Sequence, residues 1–239
     1  NYETIKLEIA ERKATLTLNR PNAMNAMNFT MMRELAECFE ALHNEKDVQI
    51  LIIKGEGKVF SAGGDVKMMA ASGDFSDFGT IMGDIARLVR AYYTLPMITI
   101  AQIHGASAGL GFSLALGSDI IVAEQSSKLA MNFIGIGLIP DGAGHFFMKE
   151  RLGTSKAKQM IWEGKVMNGD EALALGLIDY SCPDGAALET VDQLVGKVLA
   201  SPILAMIETK RILHASNLVQ LDEILQGESE GQVKMRQTQ

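Results

Sequence analysis

ITIAQIHGASAGLGFSLALG, Ile98–Gly117, is the stretch whose reading decides the fold. Its first residues are apolar and β-branched, the composition of a buried strand. Gly105, Gly109 and Gly111 follow with small residues between them; glycine allows backbone conformations and close approaches that a Cβ forbids. Phe112, Leu114, Ala115 and Leu116 then read as a buried helix. A helix start leaves its first amides without partners and carries partial positive charge. Strand, glycine turn and helix therefore aim free N–H groups at one place, and an oxygen gathering negative charge suits that place. Leu95–Gly117 is also long enough to cross a bilayer, which takes roughly 20 apolar residues. Gln102, His104, Ser107, Ser113 and the glycines argue instead for a core strand and a core helix.

The 239 residues around this stretch are 47% hydrophobic and 21% charged, with a net charge of −7. That is enough chain for one large core. The negative balance, with no block of Lys or Arg, argues against nucleic acid and anionic membrane as partners. Cys38 and Cys182 lie far apart with no metal-ligand spacing. A cytoplasmic protein with two reduced, buried thiols and no metal is expected. No signal peptide is visible, and since Asn1 is not Met the natural N-terminus is expected upstream.

Tyr2–Ile9 and Lys13–Leu18 alternate as paired strands. Asn28 is placed to cap a helix through Asn44, and Val48–Lys54 reads as a central strand. Gly63, Gly64 and Asp65 lead into a short helix to about Ala71. Ser72–Phe78 reads as a mobile loop, and Thr80–Tyr93 as a helix ended by Pro96. Asp119–Ala123, Lys128–Met131 and Leu177–Tyr180 read as strands. His145–Leu152 and Thr154–Trp162 read as helices. Asn168-Gly169-Asp170-Glu171 has the spacing of a capping box. From Ala187 the chain is helical, with breaks expected at Ser201-Pro202 and near Asn217. Strand pairs followed by helices make an α/β core over residues 1–185, and residues 186–239 form a helical tail suited to contact with a neighbour.

Several residues could do chemistry. Gly105-Ala106-Ser107-Ala108-Gly109 matches G-x-S-x-G, the nucleophile elbow of serine hydrolases, and Ser107, Asp179 and His214 would complete a triad. Alternatively, Gly64 and Leu110 each offer an amide in the first turn of a helix. Two such donors on one carbonyl oxygen make an oxyanion hole, worth about 10²–10³ in rate per donor. Asp141, amid Phe133, Ile136, Leu138 and Ile139, suits a helix N-cap, and desolvation there would also tune it as a general base. His145 is a weaker candidate. Ser113 and Asn132 are expected to bond backbone. The glycines do not form G-x-G-x-x-G and there is no Walker A pattern, which disfavours a dinucleotide or a nucleoside triphosphate.

Taken together, LNRPNAMNA (Leu18–Ala26), VFSAGGDVK (Val59–Lys67), IHGASAGLGFS (Ile103–Ser113), SDIIVA (Ser118–Ala123), IGLIPDGAG (Ile136–Gly144) and NGDEALALGLID (Asn168–Asp179) resemble the enoyl-CoA hydratase/isomerase family, the crotonase superfamily. Their order and spacing are more specific than any one motif. The resemblance implies a crotonase-like spiral of ββα units, then a helical trimerisation region, assembled as a homotrimer or a dimer of trimers. It implies an acyl-CoA substrate and no separate cofactor. The oxyanion donors fall on Gly64 and Leu110, and the catalytic Asp of the isomerases on Asp141. Acyl-CoA contacts fall on Ala23, Met24 and Ala26, on Ala62, Gly63, Gly64, Asp65, Val66 and Lys67, and on Ala108, Leu110, Gly111, Phe133, Pro140 and Asp141. Asn22 stands where many members carry Lys, so one phosphate contact is missing. The family has a further helix past Gln239, so part of the pocket's cover is expected beyond this sequence.

The departures from the family pattern favour one reaction. Hydratases of the family carry two glutamates, and here Ser113 and Phe133 stand at those positions. The sequence therefore reads as an enoyl-CoA isomerase that moves a double bond through a dienolate with Asp141 as acid and base. The alternatives are a 2-enoyl-CoA hydratase, a non-catalytic acyl-CoA-binding member, and a Ser107 hydrolase.

Overall fold

The structure, a computed structural model, describes residues 1–71 and 75–238, and the side chains of all of these but 69–71 and 75–77. Six strands form the main sheet. β1 (Ile5–Ala10) pairs antiparallel with β2 (Lys13–Leu18), whose alternate residues Ala14, Leu16 and Leu18 are buried. From β2 the sheet is parallel, through β3 (Ile50–Gly55), β4 (Ile98–Ile103), β6 (Ile120–Glu124) and β8 (Tyr180–Cys182). A second, two-stranded parallel sheet joins β5 (Ala106–Ala108) to β7 (Lys128–Ala130).

Helices cover both faces of the main sheet. α1 (Phe29–Leu42) and α3 (Phe75–Tyr93) pack on one side with Phe39 against Tyr92, their ring centroids 4.7 Å apart. α8 (Ala187–Leu199) covers the other through Val191, Val195 and Val198 against Ile50, Ile98, Ile100 and Val122. Burial on both faces explains why β4 lacks alternation and reads as one apolar run. α2 (Val66–Ala71) and α4 (Leu110–Leu116) begin at the glycine turns identified in the sequence. α5 (Gly144–Leu152), α6 (Thr154–Glu163) and α7 (Gly169–Leu175) follow, and the capping box at Asn168 and Glu171 is formed in both directions.

α9 (Ile203–Gln237) runs for 35 residues across the core. Lys210 fastens it to the sheet: its buried Nζ donates to the Met97 carbonyl at 2.7 Å and to Asp119 Oδ2 at 2.8 Å. The break expected near Asn217 does not occur. Asn217 turns its amide outward to Glu150 Oε1 at 2.7 Å and to the Tyr93 hydroxyl, so it does not compete with the helix backbone. Two further expectations need correction. Of Ser72–Phe78, residues 72–74 lie outside the described residues, and the rest opens α3 rather than a loop. The strand read over Leu177–Tyr180 begins instead at Tyr180, because Leu177 and Ile178 plug into the core. No single helix among the described residues is long and apolar enough to cross a membrane. Both cysteines are free and buried.

Candidate active site

Two glycine-rich segments meet beside the small sheet. Ser61 bridges to Ser107, with the amide of Ala108 donating to the Ser61 carbonyl at 3.0 Å. Gly63 follows at φ +105°, and a Cβ there would stand 2.8 Å from the Ala108 carbonyl oxygen. Only glycine permits both that conformation and that approach. Gly64 is then bridged to Met27, whose amide bonds the Gly63 carbonyl and whose carbonyl accepts from Asp65. That pairing uses the neighbours of Gly64 and turns its own N–H to the opposite side. Leu110 is the first residue of α4. Neither the Gly64 nor the Leu110 amide has a protein acceptor among the described residues.

The loop 140–144 is pressed onto α4. Gly142, at φ +65°, leaves no room for a Cβ, which would lie 2.6 Å from Leu110 Cδ1 and 2.9 Å from Ser113 Cβ. Ser113 Oγ donates to the Asp141 carbonyl at 2.7 Å. Ser113 thus bonds backbone as expected, and the backbone it fixes is that of Asp141. Asn132 does not follow its expectation: it is exposed and lines a cavity. Nor is Asp141 a helix cap. Ala143, in the left-handed region, occupies the N-cap of α5, and the Asp141 side chain is turned inward, 8% exposed.

A cavity of about 210 Å³ lies between these segments. Gly64, Leu110 and Asp141 share its wall with Ala62, Gly63, Val66, Phe133 and the apolar face of α3 at Ile81, Met82 and Ile85. Asp141 is the only ionisable residue on that wall among the described residues. Its Oδ1 is buried without a hydrogen-bond partner among the described residues. Burial, and then the nearby Glu228, push its pKa up to about 7, against the pull of a bond from Gln232. Phe133 is half-buried and packs over Gly109, its ring 3.6 Å from where a Cβ would be.

Other residues from the sequence reading stand further off. Ala23, Met24 and Ala26 form a rim segment held to the 61–65 loop by the Ala62 amide on the Met24 carbonyl. Asp65 pairs with Arg20 at 3.2 Å and accepts from the Met68 amide, so it starts α2. Lys67 is exposed beside it. Ala108 and Pro140 back the two loops without lining the cavity. Gly111 faces the core, where a Cβ would strike Ser61, so its glycine serves packing. The hydrolase triad does not assemble. Ser107 Oγ is buried with no partner among the described residues, Asp179 pairs with Arg151 at 3.0 Å, and His214 Nδ1 bonds the Tyr93 carbonyl at 2.7 Å.

The sequence reading missed the contribution of α9. Leu221, Leu225, Glu228 and Gln232 form its buried stripe, and two polar residues on an apolar stripe were the available signal. Glu228 receives the first amides of α5, from Ala143 at 2.7 Å and His145 at 3.2 Å, and pairs with His145 Nδ1. Burial raises its pKa while these N–H groups pull it back. Among the described residues no group of three or more His, Cys, Asp or Glu could hold a metal ion.

The profile of the enoyl-CoA hydratase/isomerase family matches residues 8–239. The chain belongs to that family. It is 44% identical to YhaR of Bacillus subtilis, named for enoyl-CoA hydratase/isomerase, over 94% of this chain and 88% of that protein. It is 30% identical to the 1,2-epoxyphenylacetyl-CoA isomerase of Escherichia coli, over 92% of this chain and 85% of the other. A crystal structure of an enoyl-CoA hydratase from Bacillus halodurans superposes with a TM-score of 0.90 at 26% identity, covering 98% and 95% of the two chains. The crotonase fold of the family is therefore the fold described above, and the chain is an enzyme of the hydratase/isomerase type.

Proposed function

We propose that the chain is an enoyl-CoA isomerase, moving a 3-enoyl thioester's double bond to the 2-position. The observation that carries this is one carboxyl with an unpartnered oxygen on an otherwise non-ionisable cavity wall shared with two free amides. Asp141 takes a proton from C2. The electrons of the broken C2–H bond form a C1=C2 double bond and the carbonyl π pair moves onto the thioester oxygen, giving a dienolate that keeps C3=C4. The amides of Gly64 and Leu110 receive the charge on that oxygen. Asp141 then returns the proton at C4, and the double bond is left between C2 and C3. A base with a pKa near the working pH can do both steps. Phe133 keeps water from the dienolate.

The CoA portion lies over the rim made by Ala23, Met24, Ala26, Asp65 and Lys67, with the acyl chain inside. Residues 186–239 serve as the oligomerisation region of a trimer or paired trimers, supported by the exposed Leu204, Ile212, Leu213 and Val219. The two free thiols support a reducing, cytoplasmic setting. The test is a panel of 2-enoyl, 3-enoyl and dienoyl thioesters with products analysed by mass and double-bond position. Isomerisation leaves the mass unchanged; faster gain of a water mass on 2-enoyl thioesters would make the chain a hydratase instead.

A further inference from the structure

Gln232, 1% exposed, bonds one loop at three points. Its Oε1 accepts from the Ile139 amide at 3.0 Å, and its Nε2 donates to the Ile139 carbonyl at 2.5 Å and to Asp141 Oδ2 at 3.3 Å. The two bonds to Ile139 fix which end of the amide is which. An N–H is therefore the group presented to Oδ2. The other carboxyl oxygen, Oδ1, is buried with no hydrogen-bond partner among the described residues.

Resting on the isomerase reading, we propose that Gln232 is a positioning residue that holds Oδ2 of Asp141 and leaves Oδ1 as the oxygen that carries the proton from C2 to C4. A carboxyl held at Oδ2 favours the orientation that presents Oδ1 to the cavity, so one oxygen serves both proton transfers. The titratable groups that face Asp141 are Glu228 on α9 and His145 on α5. Gln232 works against Glu228: it donates to the ionised carboxylate and so favours the form that can act as base.

Gln232→Leu removes all three bonds, and Gln232→Glu, nearly the same shape, covers the case in which the Leu variant fails to fold. The Asp141 carboxyl is titrated by ¹³C NMR and assigned by its loss in Asp141→Asn, alongside turnover of trans-3-hexenoyl-CoA. In Gln232→Leu the midpoint should rise by about one pH unit and turnover at pH 7 should fall about fivefold, with KM within about threefold. In Gln232→Glu the midpoint should rise further, because a third carboxyl joins the cluster. An unmoved midpoint in both variants overturns the proposal even if turnover falls, since that pattern is loop loosening alone. Full turnover in Asp141→Asn would instead overturn the isomerase reading, and the titration would still report whether Gln232 holds the carboxyl.

Discussion

The Nδ1 of His145 lies 2.6 Å from Oε2 of Glu228, a residue 83 positions further along the chain. Oε2 also accepts the backbone amide of His145, and the partly exposed imidazole links this buried acid to solvent. The pair joins the start of α5 to α9 and places a carboxylate beside Asp141, where it discourages ionisation of that residue.

Replacing Glu228 by Gln should therefore make Asp141 a stronger acid. The limb of kcat/KM that rises as Asp141 ionises should move down in pH by about one unit, read from a pH–rate profile on a 3-enoyl-CoA. An amide meets the donors of Ala143 and His145 less well, so Tm should also fall.

Asp141→Asn should cut turnover at least about 10²-fold while leaving CoA affinity within a few fold, measured by steady-state kinetics and by calorimetric titration with CoA.

The same variant should change stability in a pH-dependent way. Wild type keeps a proton on Asp141 up to about pH 7, whereas the carboxyl's ordinary value is 3.8. Between those values the native state binds the extra proton, so its stability falls as pH rises. Above the upper value the buried charge is a constant penalty that Asn does not carry. Denaturant melts should show Asp141→Asn gaining on wild type by about 2–4 kcal/mol between pH 4 and pH 8.

Gly63→Ala should damage both scaffold and site. The left-handed φ and the contact with the Ala108 carbonyl predict a loss of about 1–3 kcal/mol in a thermal melt. Displacement of the Gly64 amide predicts about a 10²-fold loss in kcat with a smaller change in KM.

Lys210→Ala should cost about 3–5 kcal/mol in chemical denaturation, since it leaves Asp119 beside the sheet with its buried partner gone. The free energy is read from the midpoint and slope, and an unchanged midpoint would mean that α9 is held by its apolar contacts alone.

Much of the site is local and was legible for that reason. Gly63, Gly64, Gly109 and Asp141 sit in turns whose residue types state their backbone needs, and the free amides of Gly64 and Leu110 follow from strand and helix starts. What was not legible depends on tertiary contact. Nothing near Asn217 says that its amide will find Glu150 rather than its own helix. Glu228 and Gln232 look like surface positions of a polar helix until Leu221 and Leu225 are seen to set the buried stripe. Asp141 reads as a helix cap because Pro and Gly flank it, yet the contact of Gly142 with Leu110 and Ser113 rolls the loop and turns its side chain inward.

Residues 228 and 232 follow every residue of the cavity wall described above in the chain. Until α9 docks, the Asp141 carboxyl has neither the Gln232 bond nor its acidic neighbour Glu228. Under the isomerase reading, the environment of Asp141 is thus completed only when α9 docks.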